Sequence, residues 1–132
     1  MDNFAKGLKD FNDAAAKKMT RRLRRVSNAA LEAIVLGTPV LTGCCRGNWN
    51  VSVDGGIPRG FNAGKTDKNG SATIAAGRAR IESAQLGVAV TIANSCPYVI
   101  PLENGWSRQK PPGSMIAQPL AQLEAAIKAG AM

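Results

Sequence analysis

The N-terminal part of the chain carries one uninterrupted helical pattern, which limits the folds available to the whole protein. From Phe4 to Ile34, apolar residues recur at spacings of three or four, and this predicts one amphipathic helix over residues 1–36. Gly37 and Pro39 end the helix, because glycine suits a left-handed C-cap and proline cannot continue the hydrogen-bond ladder. At ~1.5 Å per residue, the helix is longer than a small domain needs, so we expect part of it to pack on a neighbouring molecule. The repeating residues are Phe4, Leu8, Phe11, Ala15, Met19, Leu23, Val26, Ala30 and Ile34.

Length and composition predict one folded domain over residues 1–132. The chain is 45% hydrophobic and 20% charged, which is apolar enough to fold around one core. Aromatic residues make up only 5%. We therefore expect a thin core, with partner chains covering part of the remaining apolar surface.

Two short strands are expected after the long helix. Large apolar residues alternate with polar residues at 49–53 and with small or polar residues at 88–93, which is the period of a half-buried strand. These strands predict a small antiparallel sheet within residues 48–96. Between them, residues 54–70 are rich in Gly, Asn, Lys and Asp and predict an exposed loop.

Helical signals fill the rest of the chain. Residues 71–84 fit a short helix with Ser71 as its N-cap, although a strand is also compatible with them. A short helix is predicted from Pro97 onwards, and a C-terminal helix is predicted at 114–129 with Ser114 as its cap. The fold class is therefore α+β, with a long N-terminal helix, a small antiparallel sheet, a short helix and a C-terminal helix.

Positive charge is concentrated in the N-terminal helix. The chain has 17 Lys and Arg against 9 Asp and Glu, a net charge of +8, which favours an anionic partner. The densest run ends in Arg21, Arg22, Arg24 and Arg25. A solvated or protein-facing basic surface is favoured over direct nucleic-acid binding, because no aromatic residues interleave the run and no recognition motif accompanies it.

The sequence does not favour an enzyme. Histidine is absent, which excludes Ser-His-Asp and Cys-His catalysis and zinc sites that need imidazole. Gly64-Lys65-Thr66 lacks the earlier glycine that a phosphate-binding loop requires. Glu103 has no second carboxylate in register, so an ion pair or a helix-end contact is favoured over catalysis. We predict no catalytic activity, no cofactor and no metal.

The cysteines and the lack of long apolar runs bear on location. Three cysteines, two of them adjacent, suggest no disulfide framework and favour buried thiols in a reducing compartment. No apolar run approaches the ~20 residues of a membrane span, and the N-terminus carries no signal-peptide pattern. We expect a protein made in the cytosol with no membrane partner.

Two segments, taken in order, resemble one protein family. The first, TPVLTGCCRGNW from Thr38 to Trp49, is similar to the family pattern TPVDTGRLRASW, in which a long helix turns into the first strand. The second, PYVIPLENGW from Pro97 to Trp106, followed by two prolines and a helix, is similar to YAxYLEFGT…PPxPF. Together they resemble the tail-completion or neck proteins of long-tailed double-stranded DNA bacteriophages. The departures from the family pattern are Leu41, Cys44 and Asn104.

The resemblance implies a structural role in the virion. It implies a ring, expected to be hexameric, that completes the tail and joins it to the head connector or adaptor, with the genome passing through its channel. Such a protein would be assembled in the host bacterial cytoplasm, contact the tail tube or tail terminator, and touch DNA non-specifically. The alternatives are a tail terminator that caps the tail tube and, from another class, a basic nucleic-acid-binding protein.

Nine residues are the candidate interface residues. Trp49 is expected to anchor the first strand to the core, and Tyr98, Leu102 and Glu103 to fix the short helix and the loop after it. Trp106 lies in a polar loop and fits either an interface anchor or a side chain folded back on the core. The full set is Arg21, Arg22, Arg24, Arg25, Trp49, Tyr98, Leu102, Glu103 and Trp106.

Overall fold

The computed structural model describes residues 2–40, 42–105 and 109–132, and within them it combines five helices with two strands. The helices are α1 (Asp2–Gly37), α2 (Cys44–Gly47), α3 (Ser71–Ile81), α4 (Val99–Glu103) and α5 (Ala117–Lys128), and the strands are β1 (Trp49–Ser52) and β2 (Thr91–Asn94). The predicted α+β class, with its long N-terminal helix and small antiparallel sheet, is confirmed.

Helix α1 has the predicted length, but its apolar repeat is not buried as one stripe. Leu31 and Val35 are fully buried although neither belongs to the predicted repeat. Phe4 and Phe11, which do belong to it, are 75% and 70% exposed. The reason is that only the C-terminal half of α1 meets the rest of the chain. Every residue from 2 to 17 except Ala15 is exposed. We call residues 2–17 the projecting half and residues 24–37 the packed half.

The sheet has two antiparallel strands that pair over four residues each. Trp49 lies opposite Asn94, and Ser52 lies opposite Thr91. The alternation that predicts a strand from residue 88 overestimates β2, which begins at Thr91. Strand β1 ends at Ser52, so residues 88–90 have no partner strand to pair with.

The core lies between the packed half of α1, helix α3 and the sheet. Its buried residues are Leu31, Ile34, Val35, Trp49, Val51, Ile81 and Met115. Gly77 lets α3 approach α1 closely, because a Cβ at this position would lie 2.4 Å from Cδ2 of Leu31. A core of this size agrees with the low aromatic content.

The capping residues of two helices differ from those predicted. The N-cap of α3 is Gly70, and the carboxylate of Asp67, not the Ser71 hydroxyl, accepts a hydrogen bond from the backbone N–H of Thr73 at 2.8 Å. Helix α5 begins at Ala117, three residues later than predicted. The hydroxyl of Ser114 donates instead to the carbonyl of Pro111 within the preceding turn, at 2.7 Å.

The predicted loop at 54–70 is exposed over most of its length, but its second half is tied down. The backbone N–H of Asp67 donates to the carbonyl of Gly43 at 3.0 Å. Gly43 has a φ of +86°, and a Cβ there would lie 2.8 Å from the backbone nitrogen of Lys68. Glycine is therefore required where the loop crosses the start of α2.

Candidate interface surfaces

Four cations at the middle of α1 form one exposed surface, which we call the basic patch: Lys18, Arg21, Arg22 and Arg25. They line a cavity of about 570 Å³ together with residues 130–132. In the described residues, none of the four lies within ion-pair distance of a carboxylate. Their charge is therefore directed to solvent or to a partner outside the chain.

Arg24 belongs to a different environment from the other arginines of the run. Its Nε and Nη2 both donate to the carbonyl of Ala84, at 3.3 and 3.1 Å. These bonds tie α1 to the turn after α3, so Arg24 is a structural contact within the chain. The expectation that Arg24 is an interface residue stays a prediction, and the structure adds that its guanidinium has a partner within the chain.

The two segments that carry the family resemblance meet at one surface, although about 50 positions separate them. An apolar groove of about 610 Å³ lies between the chain after α1 and the start of α4. We call it the apolar groove, and it is lined by Pro39, Val40, Thr42, Gly43, Cys44, Cys45, Ala63, Tyr98, Leu102 and Gln109.

Gln109 and Val40, which both line the apolar groove, are joined by two hydrogen bonds. The amide of Gln109 accepts a hydrogen bond from the backbone N–H of Val40 at 2.9 Å and donates to its carbonyl at 2.6 Å. Tyr98, which also lines the groove, is 57% exposed. The groove therefore presents an aromatic side chain and apolar walls to solvent, which suits an apolar ligand or side chain.

The first resembling segment also holds the fold together. The indole Nε1 of Trp49 donates to the Thr38 hydroxyl at 2.8 Å, and that hydroxyl donates to the carbonyl of Ile34 at 2.8 Å. Trp49 is only 5% exposed, which is consistent with the anchoring role expected of it. Its side chain lies inside the core, and its place among the candidate interface residues stays a prediction.

Arg46 and Asn48 join α2 to its surroundings, and sequence reasoning did not single out either residue. The Arg46 guanidinium donates to the carbonyls of Leu36 and Thr38 at 3.0 and 2.7 Å, so it caps the end of α1. Burial lowers the pKa of Arg46 from its ordinary value. Asn48 is 3% exposed and bonds both the N–H and the carbonyl of Asn62, at 2.9 and 3.0 Å.

Asp67 is the third such residue, and it holds the loop against the start of α3. One carboxylate oxygen accepts from the N–H and the hydroxyl of Thr73, both at 2.8 Å. The pKa of Asp67 is lowered, because these bonds and that from Gly70 outweigh the burial that acts to raise it. An acidic residue just before a helical pattern is a recognisable capping signal, whereas Arg46 and Asn48 bond partners that only the tertiary structure brings close.

Glu103 makes a helix-end contact, the structural role favoured from the sequence. Its Oε2 accepts a hydrogen bond from the backbone N–H of Ala117 at 3.3 Å, at the start of α5. Its own backbone carbonyl accepts from the N–H of Gly113 at 2.7 Å. A carboxylate at a helix N-terminus is stabilised by the unpaired N–H groups there, so Glu103 joins α4 to α5.

The cysteines are free thiols, and two of them, Cys45 and Cys96, are buried. Burial and, to a smaller extent, the neighbouring Cys96 together raise the pKa of Cys45 to about 12. A thiol of this kind stays protonated near neutral pH and is a poor nucleophile. Cys44 is half-buried and lines the apolar groove.

The remaining candidates divide between the two surfaces. Arg21, Arg22 and Arg25 lie in the basic patch, and Tyr98 and Leu102 line the apolar groove. Trp106 lies outside the described residues. Sequence reasoning missed Pro39, Val40 and Gln109 as groove residues, because nothing in the local pattern indicates which segments meet in space.

Within the part of the chain that the structure describes, no group of three or more His, Cys, Asp or Glu could hold a metal ion. No described helix combines the length and apolar character needed to cross a bilayer. No family model, curated protein or solved structure matches this chain.

Proposed function

We propose that the chain is a structural protein of the neck of a long-tailed double-stranded DNA phage. Copies of it would form a ring that completes the tail and joins it to the head connector, with DNA passing through the channel. The observation that carries the proposal is that the two segments resembling the family line the same apolar groove. If the two segments form one functional surface, we expect both of them to resemble the family pattern. Two chance resemblances would not be expected to lie side by side in the fold.

Two further features support an assembly role. In the projecting half of α1, Phe4 and Phe11 are 75% and 70% exposed, which is unusual for aromatic side chains that have no binding partner. Helices in proteins gain most of their stability from packing an amphipathic face against something else. A subunit that completes its packing on other chains would explain both the exposed helix and the small core.

The proposal is tested by measuring mass and partner binding. The purified chain is examined by size-exclusion chromatography with light scattering and by negative-stain microscopy, alone and with the head connector or tail tube protein. We expect a ring with a central channel that binds at least one partner. A strictly monomeric chain that binds neither would contradict the proposal, and binding to the tail tube alone would favour the tail terminator role.

A variant pair connects the groove to partner binding. Tyr98→Ser removes the exposed aromatic rim and should weaken binding, because aromatic anchors carry much of the energy of an interface. Ile57→Ser is the matched control, since Ile57 is 64% exposed but lies outside the groove. Equal binding by both variants would show that the groove is not the contact surface.

The basic patch supports a second candidate function, nucleic-acid binding. Its exposed arginines carry no carboxylate partner among the described residues, and phosphate neutralisation needs little more than such charges. Affinity for duplex DNA is measured against salt concentration, with Arg21, Arg22 and Arg25 replaced together by alanine. Each lost phosphate contact should reduce the log–log slope by about 0.9.

Two controls separate DNA binding from structural damage. Arg24 is left in place because it bonds Ala84 and its loss would disturb the fold. Arg78→Ala is the matched control, since Arg78 is an exposed arginine already paired with Glu32 at 3.0 Å. A slope that does not change in the triple variant would remove the basic patch as a DNA site.

A further inference from the structure

The projecting half of α1, together with the two residues that follow it, has a clearly separated apolar face. At 3.6 residues per turn, five apolar residues fall within about 80° of the helix circumference. We call them the apolar stripe: Phe4, Leu8, Phe11, Ala15 and Met19. The charged residues Asp2, Lys6, Lys9, Asp10, Asp13 and Lys17 are centred about half a turn away.

Within the described residues, nothing in the chain covers the apolar stripe. Its large members are exposed by 75%, 51%, 70% and 58%, in chain order. Two phenylalanines alone offer roughly 300 Å² at that exposure, given about 150–250 Å² per aromatic side chain. The largest apolar patch on a typical monomer is about 300–600 Å² and is often functional, and the stripe reaches that size once Leu8 and Met19 are added to the two phenylalanines.

The body of the molecule has a second uncovered apolar surface, at the apolar groove. Tyr98, the N-cap of α4 and part of the groove lining, is 57% exposed, and Ile100, within α4 but outside that lining, is 70% exposed. The groove begins at Pro39, directly after α1 ends at Gly37. The stripe and the groove therefore lie towards opposite ends of the same helix.

The stripe cannot reach the groove of its own chain. Helix α1 is continuous from Asp2 to Gly37, so Phe11 lies roughly 40 Å along the axis from the end of the helix. The projecting half itself extends about 24 Å, comparable to the width of a small domain. It is long enough to lie along a neighbouring molecule.

The polar face indicates the kind of partner. Helices that lie on lipid surfaces carry mainly Lys and Arg on their polar face. Here three aspartates, Asp2, Asp10 and Asp13, are interspersed with the lysines, which weakens attraction to an anionic membrane. A protein groove that takes anchors at spacings of four and three residues is the better match.

We propose that the apolar stripe of one copy docks in the apolar groove of the next copy. The contact joins two different surfaces of the same chain, and such head-to-tail contacts form rings when the rotation closes. The inference rests on the proposed function only in that copies of the chain assemble with one another. One interface then covers both exposed apolar surfaces of each subunit.

The proposal is tested by site-specific cross-linking in the full chain. Phe11→Cys places a thiol on the stripe, and the native Cys44 lies in the groove. Under mild copper–phenanthroline oxidation, we expect a disulfide between position 11 of one copy and Cys44 of another, identified by peptide mass. Adding Cys44→Ser should abolish it, and the matched variant Asp13→Cys, on the polar face, should not form it.

A second measurement needs no cross-link. Sedimentation equilibrium of Phe11→Asp should give a roughly 10- to 100-fold higher Kd for self-association, because an aromatic anchor is replaced by a charge. Asp13→Ala, the control on the opposite face, should leave the Kd unchanged. Both sites are exposed, and far-UV circular dichroism verifies that both variants fold.

Several outcomes would overturn the proposal. Cross-links at position 11 that persist without Cys44 would indicate that two stripes pair with each other. If the Phe11→Asp variant self-associates with an unchanged Kd, this interface is excluded, but the ring of the proposed function is not. A chain that is monomeric at all concentrations would remove both, and stripe-dependent binding to phosphatidylglycerol vesicles without self-association would identify a membrane helix instead.

Discussion

The two halves of helix α1 share one helical period but have different surroundings. In the packed half, Leu31 and Val35 are fully buried against the rest of the chain, whereas in the projecting half Phe4 remains 75% exposed. Periodicity therefore predicts where the chain is helical but not which helical face finds a partner. The difference assigns the packed half to the stability of the folded chain, whereas contacts of the projecting half with other molecules are what the docking proposal would explain.

The largest expected contrast is between two leucines of α1. Leu31→Ala, at a fully buried site, should lower the free energy of unfolding by about 2–5 kcal/mol, because the surrounding core cannot close the cavity completely. Leu8→Ala, at a site that is 51% exposed, should change it by less than about 0.5 kcal/mol in dilute solution. Urea unfolding followed by circular dichroism checks both, and equal losses would show that the projecting half packs on its own domain.

Two threonines provide a finer version of the comparison. Thr38 and Thr20 each donate to the carbonyl four residues earlier at 2.8 Å, but only Thr38 is buried and accepts from the Trp49 indole. Thr38→Val should cost about 1–3 kcal/mol, because it leaves that N–H without an acceptor. Thr20→Val should stay within about 0.5 kcal/mol, and a similar loss in both would contradict this account of the pair.

Two aspartates extend the comparison to pH. The lowered pKa of Asp67 means that its stabilisation is complete above about pH 4, the ordinary range, and is lost as the pH falls through the native pKa. Asp67→Asn should cost about 1 kcal/mol at neutral pH and flatten the acid side of the stability profile. Asp13→Asn, on the projecting half, should leave that profile unchanged in thermal unfolding from pH 2 to 7.

The smallest effect is expected at Gly7, within the projecting half. No atom lies within 4 Å of a Cβ built there, so Gly7→Ala gains helix propensity of about 0.5–1 kcal/mol without a clash. Amide hydrogen exchange in residues 2–17 should slow, while unfolding of the core is unchanged. Ala14→Gly should have the opposite effect on exchange, and a shift in the core transition would show that the halves are coupled.

The elements that the sequence predicts best are those with strong local patterns. Helix α1, the start of β1 at Trp49 and the C-terminal helix all follow from spacing, because each pattern matches the geometry of its element. The predicted caps at Ser71 and Ser114 are wrong, since Asp67 and Glu103 supply the helix-end contacts from further away. Capping depends on which acceptor reaches the free N–H groups, and folding brings distant acceptors close.

The candidate surfaces were predictable to different extents. The arginine run identifies the basic patch as a charged region, but not that Arg24 turns inward to Ala84. The groove could not be derived from spacing, because its walls come from residues 39–45 and 98–109. Only the resemblance suggested that the two segments belong together, and the role it implies remains a proposal.

The sequence by itself determined the helical character of α1, the α+β class and the concentration of positive charge near residue 20, because these depend on local spacing and composition. Only the tertiary structure decided that α1 is buried along one half and exposed along the other, and that the two resembling segments form one groove. Burial and adjacency depend on contacts between residues far apart in the chain, and no local pattern encodes those contacts.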